Sequence, residues 1–253
     1  MIMEFNRKQQ VQEELYRFPY HYADLYPGYC PLYVAPYLAL LKYAKDCLHL
    51  ASGESILDLG CGDARFVYEM RNDNAEVIGI DYSEKALSFA KAFNPERFFY
   101  TQDLRKLNLP RKFHGAVMIE TLEHIIPDDI PAVMRNIKEV LYPGSRFVVT
   151  VPSVNLPVSE KHYQHFSEES LAAVLSPHFE IKDLHGYDRN DFHRNLFRVF
   201  NRLGCVSFAL SQRIPFLKQF HHLLKEYYKD NFLIGNPEEC RGLIAVCEAN
   251  GSF

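Results

Sequence analysis

ESILDLGCGDARF, residues 54–66, reads as an apolar strand that carries Asp58 near its end, turns through Gly60 and Gly62, and enters a helix at about Ala64. Two glycines let the backbone turn tightly and come close to a ligand. In open parallel sheets ligands bind in the crevice beyond the carboxyl ends of the strands, and the first strand borders that crevice. Outward from this stretch, short β-branched runs alternate with longer amphipathic ones, the pattern of βαβ units. Strands are expected at 55–59, 76–81, 97–101, 113–119 and 146–151, and helices at 64–72, 83–92 and 130–141, the last closed by Pro143 and Gly144. A further helix starts at Ser167, an N-cap followed by acids, and strands follow at 179–186 and 242–248.

The resulting fold class is α/β, Rossmann-like, with a mostly parallel sheet and helices on both faces. Residues 1–50 form an N-terminal helical cap with a Pro/Tyr-rich interruption, 51–187 the core, 188–240 a helical insertion, and 241–253 the last strand of the core. A hydrophobic fraction of 47%, a charged fraction of 24% and a net charge of -4 describe an ordinary globular chain and give no strong case for nucleic acid as its main partner. The polar N-terminus lacks the apolar run of a secretory signal, and no run approaches the roughly 20 apolar residues that span a bilayer. Six cysteines without a CxxC pair indicate reduced thiols rather than a zinc or disulfide framework, and a cytoplasmic location is expected.

Two more acids follow at strand ends. Asp81 closes the second strand, nineteen residues beyond Gly62, where a carboxylate can accept from both hydroxyls of a ribose. Asp103, after the third, can receive an adenine amino group, with Leu104 as an apolar face. A nicotinamide dinucleotide fingerprint would need a small residue where Arg65 stands in Gly60-x-Gly62-x-x-Arg65.

LDLGCGDARF, VIGIDYSEKALSFAK, QDL, and IETLEHI followed by LYPGSRFVVTVP occur in the order that resembles the class I S-adenosylmethionine-dependent methyltransferases, over residues 54–187. The resemblance implies S-adenosylmethionine as cofactor. It implies Asp58, Gly60 and Gly62 around the methionine part, Asp81 on the ribose, Tyr82, Asp103 and Leu104 at the adenine, and Glu120 beside the sulfonium.

Methyl transfer is an in-line displacement that asks the protein mainly to align the acceptor and, for a hydroxyl, to take its proton. Glu120-Thr-Leu-Glu123-His124 follows the fourth strand, where the acceptor approaches, so His124, Glu123 and His165 of KHYQHF are the candidate catalytic residues, with His124 as base. Small-molecule methyltransferases carry a similar Glu-x-x-Glu-His segment without metal, whereas RNA 3′-terminal 2′-O-methyltransferases use such a segment and a later histidine as ligands. The leading reading takes no metal; the other sets Glu120, Glu123, His124 and His165 around a divalent ion. A third leaves Glu123 and His124 as loop structure.

Tyr20, His21, Tyr22, His162 and Tyr163 are the candidate substrate contacts, because rings with polar tips suit a sugar, a base or an aromatic acceptor. Tyr26, Tyr29 and Tyr33 share this density, which a cap packed on the sheet also explains. Bases in 189–229, interleaved with Phe192, Phe197, Phe200, Phe208, Phe216 and Phe220, read first as a solvated helix face and second as contact with an anionic substrate or a membrane surface. The expected function is O-methylation of a small-molecule or glycan-linked hydroxyl; the alternatives are the metal-dependent RNA enzyme and a cofactor-binding protein without turnover.

Overall fold

The computed structural model describes residues 6–26, 31–211 and 214–250. Eight strands form one sheet: β1 (Ser55–Leu59), β2 (Glu76–Asp81), β3 (Phe98–Thr101), β4 (Phe113–Ile119), β5 (Leu141–Pro152), β6 (Glu180–Arg189), β7 (Ile234–Gly235) and β8 (Cys240–Glu248). Their order is β3-β2-β1-β4-β5-β8-β6-β7, with β1 to β5 parallel and β8 antiparallel to both its neighbours. The order reverses beside β1, which places the crevice between β1 and β4, over the glycine turn.

Alternating side chains of the buried strands supply two apolar layers. Leu57, Leu59, Ile80, Met118 and Val149 face α5 (Ile130–Glu139) and α6 (Glu168–Leu175). Ile56, Val77, Val117, Val148 and Ile244 face the other way, toward α2 (Ala35–Cys47), α3 (Arg65–Glu69), α4 (Glu84–Phe93), α7 (Phe192–Ser211) and α8 (Pro215–Asn231). Before α2 lie α1 (Arg7–Leu15), capped by Asn6, and a 3-10 turn over Tyr20–Leu25.

Two local expectations are corrected. The helix expected to run to Leu141 ends at Glu139, and Pro143 and Gly144 lie inside β5; Phe113 pairs with Leu141 and Gly115 with Arg146, a bulge that accommodates the extra residues instead of a helix stop. The helix after the glycine turn stops at Glu69, because Met70 leaves helical geometry and closes the turn through its own N–H. Ser167 does cap α6, and its side chain accepts from the Ser170 N–H.

Residues 188–240 contain α7 and α8, which pack on each other; α8 also packs on α2, and α7 on the 3-10 turn Pro31–Tyr33. The outward face of α7 mixes exposed apolar side chains, Phe192, Leu196, Val199, Phe200 and Leu203, with His193, Asn195 and Arg202. Arg194, counted among its solvated bases, is buried, bonded to Asp188 at 2.7 and 2.9 Å, and lies over the Phe197 and Tyr228 rings. Among the described residues no helix is long and apolar enough to cross a membrane. Tyr29 and Cys30, and the side chain of Phe208, lie outside the described residues.

Candidate active site

Gly60 and Gly62 both adopt positive φ, +75° and +55°, and both are crowded: a Cβ on Gly60 would meet Thr121 at 2.2 Å, and one on Gly62 would meet the Tyr16 hydroxyl at 2.6 Å. No side chain fits either position. Asp81 braces the turn from β2, its carboxylate accepting from the Gly62 N–H (2.8 Å) and the Ser83 N–H (2.9 Å).

Two adjoining cavities open on this turn. The first holds about 850 Å³ of empty space and is lined by Asp81, Tyr82, Asp103, Leu104, Glu120 and Tyr163, with Gln9, Gln12 and Tyr16 of the N-terminal segment above it. The second, about 800 Å³, is lined by Asp58, Gly60, Gly62, Tyr20, His21, Tyr37, Glu123, Lys161 and His162. Gln12, Tyr16, Gly60, Glu120 and His124 border both. Asp58, Asp81 and Asp103 therefore open on one continuous crevice.

Burial decides the charge states. Asp58 is pushed up to about 8, first by burial and then by the nearby Asp81 and Asp63 charges. Asp81 rises to about 6 by burial, held back by its backbone N–H bonds. Asp103 is lowered, its burial outweighed by Arg105, which reaches its carboxylate at 2.5 Å. Glu120, raised by burial, accepts from the Tyr187 hydroxyl at 2.6 Å and sits at a strained φ of +50° at the end of β4.

Glu123, His124 and His162 form a cluster at the second cavity, on the 3-10 turn Leu122–His124 and the loop after β5. Nδ1 of His124 lies 3.2 Å from the Lys161 carbonyl, an acceptor, so that nitrogen carries the proton. His165 Nδ1 donates likewise to the Leu156 carbonyl (3.0 Å), and its Nε2 accepts from His162 Nδ1 (2.8 Å). The Nε2 lone pairs of His124 and His162 are thereby aimed at Glu123, 3.7 and 4.0 Å from its Oε1. Burial lowers His124 to about 4 and His162 to about 3, and raises Glu123. Glu123 is 1% exposed, and its Oε2 has no partner among the described residues.

The sequence-expected residues are thus sorted by position. His165 lines neither cavity; its reach stops at His162, which it orients. Tyr22 is wholly buried beneath the turn rather than open to a substrate: its hydroxyl donates to the Asp63 and Ala64 carbonyls, and its ring stacks on Phe93 at 3.8 Å. Tyr163 lies on the first cavity, not the second, and its hydroxyl accepts from Asn6. Tyr33 is exposed. Residue-by-residue reading of the sequence missed Asp63, Tyr37, Lys161, Gln12 and Tyr16. Asp63 lies within the quoted ESILDLGCGDARF stretch, Lys161 opens KHYQHF, and Tyr16 opens the Pro/Tyr-rich interruption; nothing in the sequence singles out Gln12 or Tyr37.

A cationic nucleoside fits this crevice. Asp58 is a buried carboxylate with no hydrogen bond among the described residues, the Asp81 oxygens keep lone pairs toward the cavity, and Tyr82 and Leu104 offer an apolar wall. The sheet order and the crevice define the class I methyltransferase fold. The chain belongs to the methyltransferase-domain family, which matches residues 50–196, and its cofactor is S-adenosylmethionine. It is 36% identical over 100 residues to a ubiquinone biosynthesis O-methyltransferase of Alkalilimnicola ehrlichii, covering 37% of this chain and 40% of that protein. It is 23% identical to a putative methyltransferase of Invertebrate iridescent virus 6 over 63% of each. The chain thus spans 40% to 63% of the length of these two relatives. The N-methyltransferase NodS of Bradyrhizobium japonicum, solved with S-adenosyl-l-homocysteine, shares the fold at a TM-score of 0.64 and 12% identity, over 97% of this chain and 100% of NodS.

Proposed function

We propose that this chain methylates a hydroxyl of a small-molecule or glycan-linked acceptor, with the acceptor in the second cavity. One observation carries the reading: that cavity adjoins the donor crevice through Gly60 and Glu120 and is ringed by Tyr20, His21, Tyr37, Lys161 and His162, groups that stack on and hydrogen-bond hydroxylated compounds. The O-methyltransferase names of relatives from Alkalilimnicola ehrlichii and Penicillium expansum support it. Bound in the first cavity, S-adenosylmethionine supplies an already activated methyl group. Asp81 would hold the ribose, Tyr82 and Leu104 would flank the base, and the N-terminal segment would exclude water; at the junction with the second cavity, Asp58 and Glu120 would set a negative potential beside the sulfonium. The test is titration with S-adenosylhomocysteine, then methyl transfer to catechols and monosaccharides. Methyl ethers are expected; N-methyl products alone would reassign the acceptor, and a folded chain that binds no S-adenosylhomocysteine would end the reading.

A second reading follows from Glu123, His124 and His162, where two Nε2 lone pairs face one carboxyl group. A divalent cation satisfies all three, and the carbonyl-fixed tautomers are those a ligated imidazole requires. This version of the metal-dependent alternative uses His162 as the later histidine in place of His165. Calorimetric titration with Mn²⁺ and Zn²⁺, against His162→Ala, decides it; methylation of RNA with a free but not a periodate-blocked 3′ end would extend it to that substrate.

A further inference from the structure

We propose that His21, held by Asp63, is the general base that takes the proton of the acceptor hydroxyl. The inference rests on the hydroxyl-acceptor reading above, and it moves the base from the segment after β4 to the N-terminal segment.

Nδ1 of His21 lies 2.8 Å from Oδ1 of Asp63. Asp63 has no solvent exposure, and among the described residues its Oδ2 has no partner and no lysine or arginine pairs with it, so its field falls on the imidazole. A carboxylate in that position fixes Nδ1 as the protonated nitrogen and leaves the Nε2 lone pair for the cavity that His21 lines. It also stabilises the imidazolium that proton uptake would create. Tyr37 stacks on the imidazole at 4.6 Å and 20°, and the Tyr20 ring packs against it at 4.1 Å, tilted by 52°. Asp58, Glu120, Glu123 and Lys161 face the same cavity from β1, from the end of β4 and from the loop after β5.

Position relative to the donor is fixed as well. The His21 carbonyl accepts from Arg65 at 2.7 Å, Arg65 also grips Asp24, and the Tyr22 hydroxyl bonds the Asp63 and Ala64 carbonyls. The turn that cradles the donor and the loop that carries His21 are therefore one body, and the base keeps its distance from the methyl group without a loop closing. His124 is less suited: its Nδ1 donates to a neutral carbonyl, that of Lys161, so no carboxylate stabilises an imidazolium through that nitrogen, and its Nε2 faces the Glu123 carboxyl at 3.7 Å. In the step, the acceptor O–H proton passes to Nε2 of His21. The oxygen lone pair forms the new C–O bond as the methyl carbon's bond to sulfur breaks, and that bond's electron pair stays on sulfur.

The test has two arms on the full chain. Imidazole ¹⁵N spectra of the S-adenosylhomocysteine complex in mildly alkaline buffer are expected to show His21 as the Nδ1–H tautomer, and Asp63→Asn to lose that preference. An Nε2–H tautomer in the unaltered chain overturns the proposal. In the second arm, catechols and monosaccharides serve as acceptors. His21→Ala and the milder His21→Gln are expected to lower kcat about 10²- to 10⁴-fold, to leave S-adenosylhomocysteine affinity within about threefold, and, for the alanine variant, to recover with added imidazole. A variant that keeps its kcat, or one whose loss lies wholly in donor affinity, overturns the proposal. If the unaltered chain forms no methyl ether, the hydroxyl reading fails first, in the parent protein rather than in the variant, and the role of His21 falls with it.

Discussion

Arg65 grips Asp24 through two parallel hydrogen bonds, Nη1 to Oδ1 at 2.6 Å and Nη2 to Oδ2 at 2.9 Å, and both side chains are largely removed from water. The same guanidinium reaches Glu69 through Nε and the His21 carbonyl through Nη1, so every face of the fork is used. This joins the N-terminal segment to the glycine turn. Removing one partner of such a buried pair leaves the other charge uncompensated, which costs about 3–5 kcal/mol. Arg65→Leu is therefore expected to lower unfolding stability in a urea titration by about that amount and to weaken S-adenosylhomocysteine binding. Arg65→Lys, which cannot form the fork, should recover only part of either.

Asp81 should matter both to the ligand and to the fold. Its oxygens serve the Gly62 and Ser83 N–H groups one each, so Asn at 81 keeps an acceptor for one of them, turns its NH2 toward the other, and loses the charge-assisted bonds to a ribose. Asp81→Asn is expected to cost about 10- to 100-fold in S-adenosylhomocysteine affinity, or about 1.4–2.8 kcal/mol, and to lower stability, and with it Tm, by the one N–H bond it loses, about 1–3 kcal/mol. Calorimetry and thermal unfolding on one sample separate the two effects.

The pH dependence of the ligand-free chain carries a signature of Asp58. Its folded pKa, about 8, stands above the ordinary carboxylate value of 3.8, so the folded state binds the proton more tightly than the unfolded one. The sign follows: stability from this group is present at low pH and is lost as pH rises from about 4 toward 8. Asp58→Asn is expected to remove that slope and to gain about 1–3 kcal/mol at neutral pH. Binding a cation beside Asp58 should expel its proton. Calorimetry of S-adenosylmethionine binding in buffers of different ionisation enthalpy should find proton release that Asp58→Asn abolishes.

Gly242 lies under the Tyr187 ring; a Cβ there would come within 2.2 Å of it. Tyr187 in turn donates to Glu120 across the sheet. Gly242→Ala is expected to displace that hydroxyl and to destabilise by about 1–3 kcal/mol through overpacking. Tyr187→Phe should disturb Glu120 without that cost, so comparing the two variants by donor affinity and Tm separates packing from the hydrogen bond.

The five strands β1 to β5, the glycine turn and the strand-end acids were legible because each is written in local pattern: apolar runs of strand length, glycine at positive φ, a carboxylate one step past the run. Asp63 was not legible, since an acid after a glycine turn looks like any loop residue until the chain brings His21 back to it from forty-two positions away. The sequence reading sets His165 at the chemistry and His162 at the substrate; what turns His165 away is one backbone carbonyl, that of Leu156, which sequence spacing does not reveal. The continuation of β5 through Pro143 and Gly144 was hidden for a similar reason. Both residues ordinarily end regular structure, and only the pairing of β4 with β5 and of Gly144 with Ala249 shows the strand passing through them.

β8 lies between β5 and β6, bonded to both along most of its length, and it is the last strand in the described chain. Until residues 240–248 arrive, β5 offers an open apolar edge and the β6–β7 pair has no sheet to join. During synthesis the nucleotide half of the molecule is therefore complete on the ribosome well before the keystone strand emerges. That interval is when an exposed Val-rich border invites pairing with a neighbouring nascent chain or capture by a chaperone.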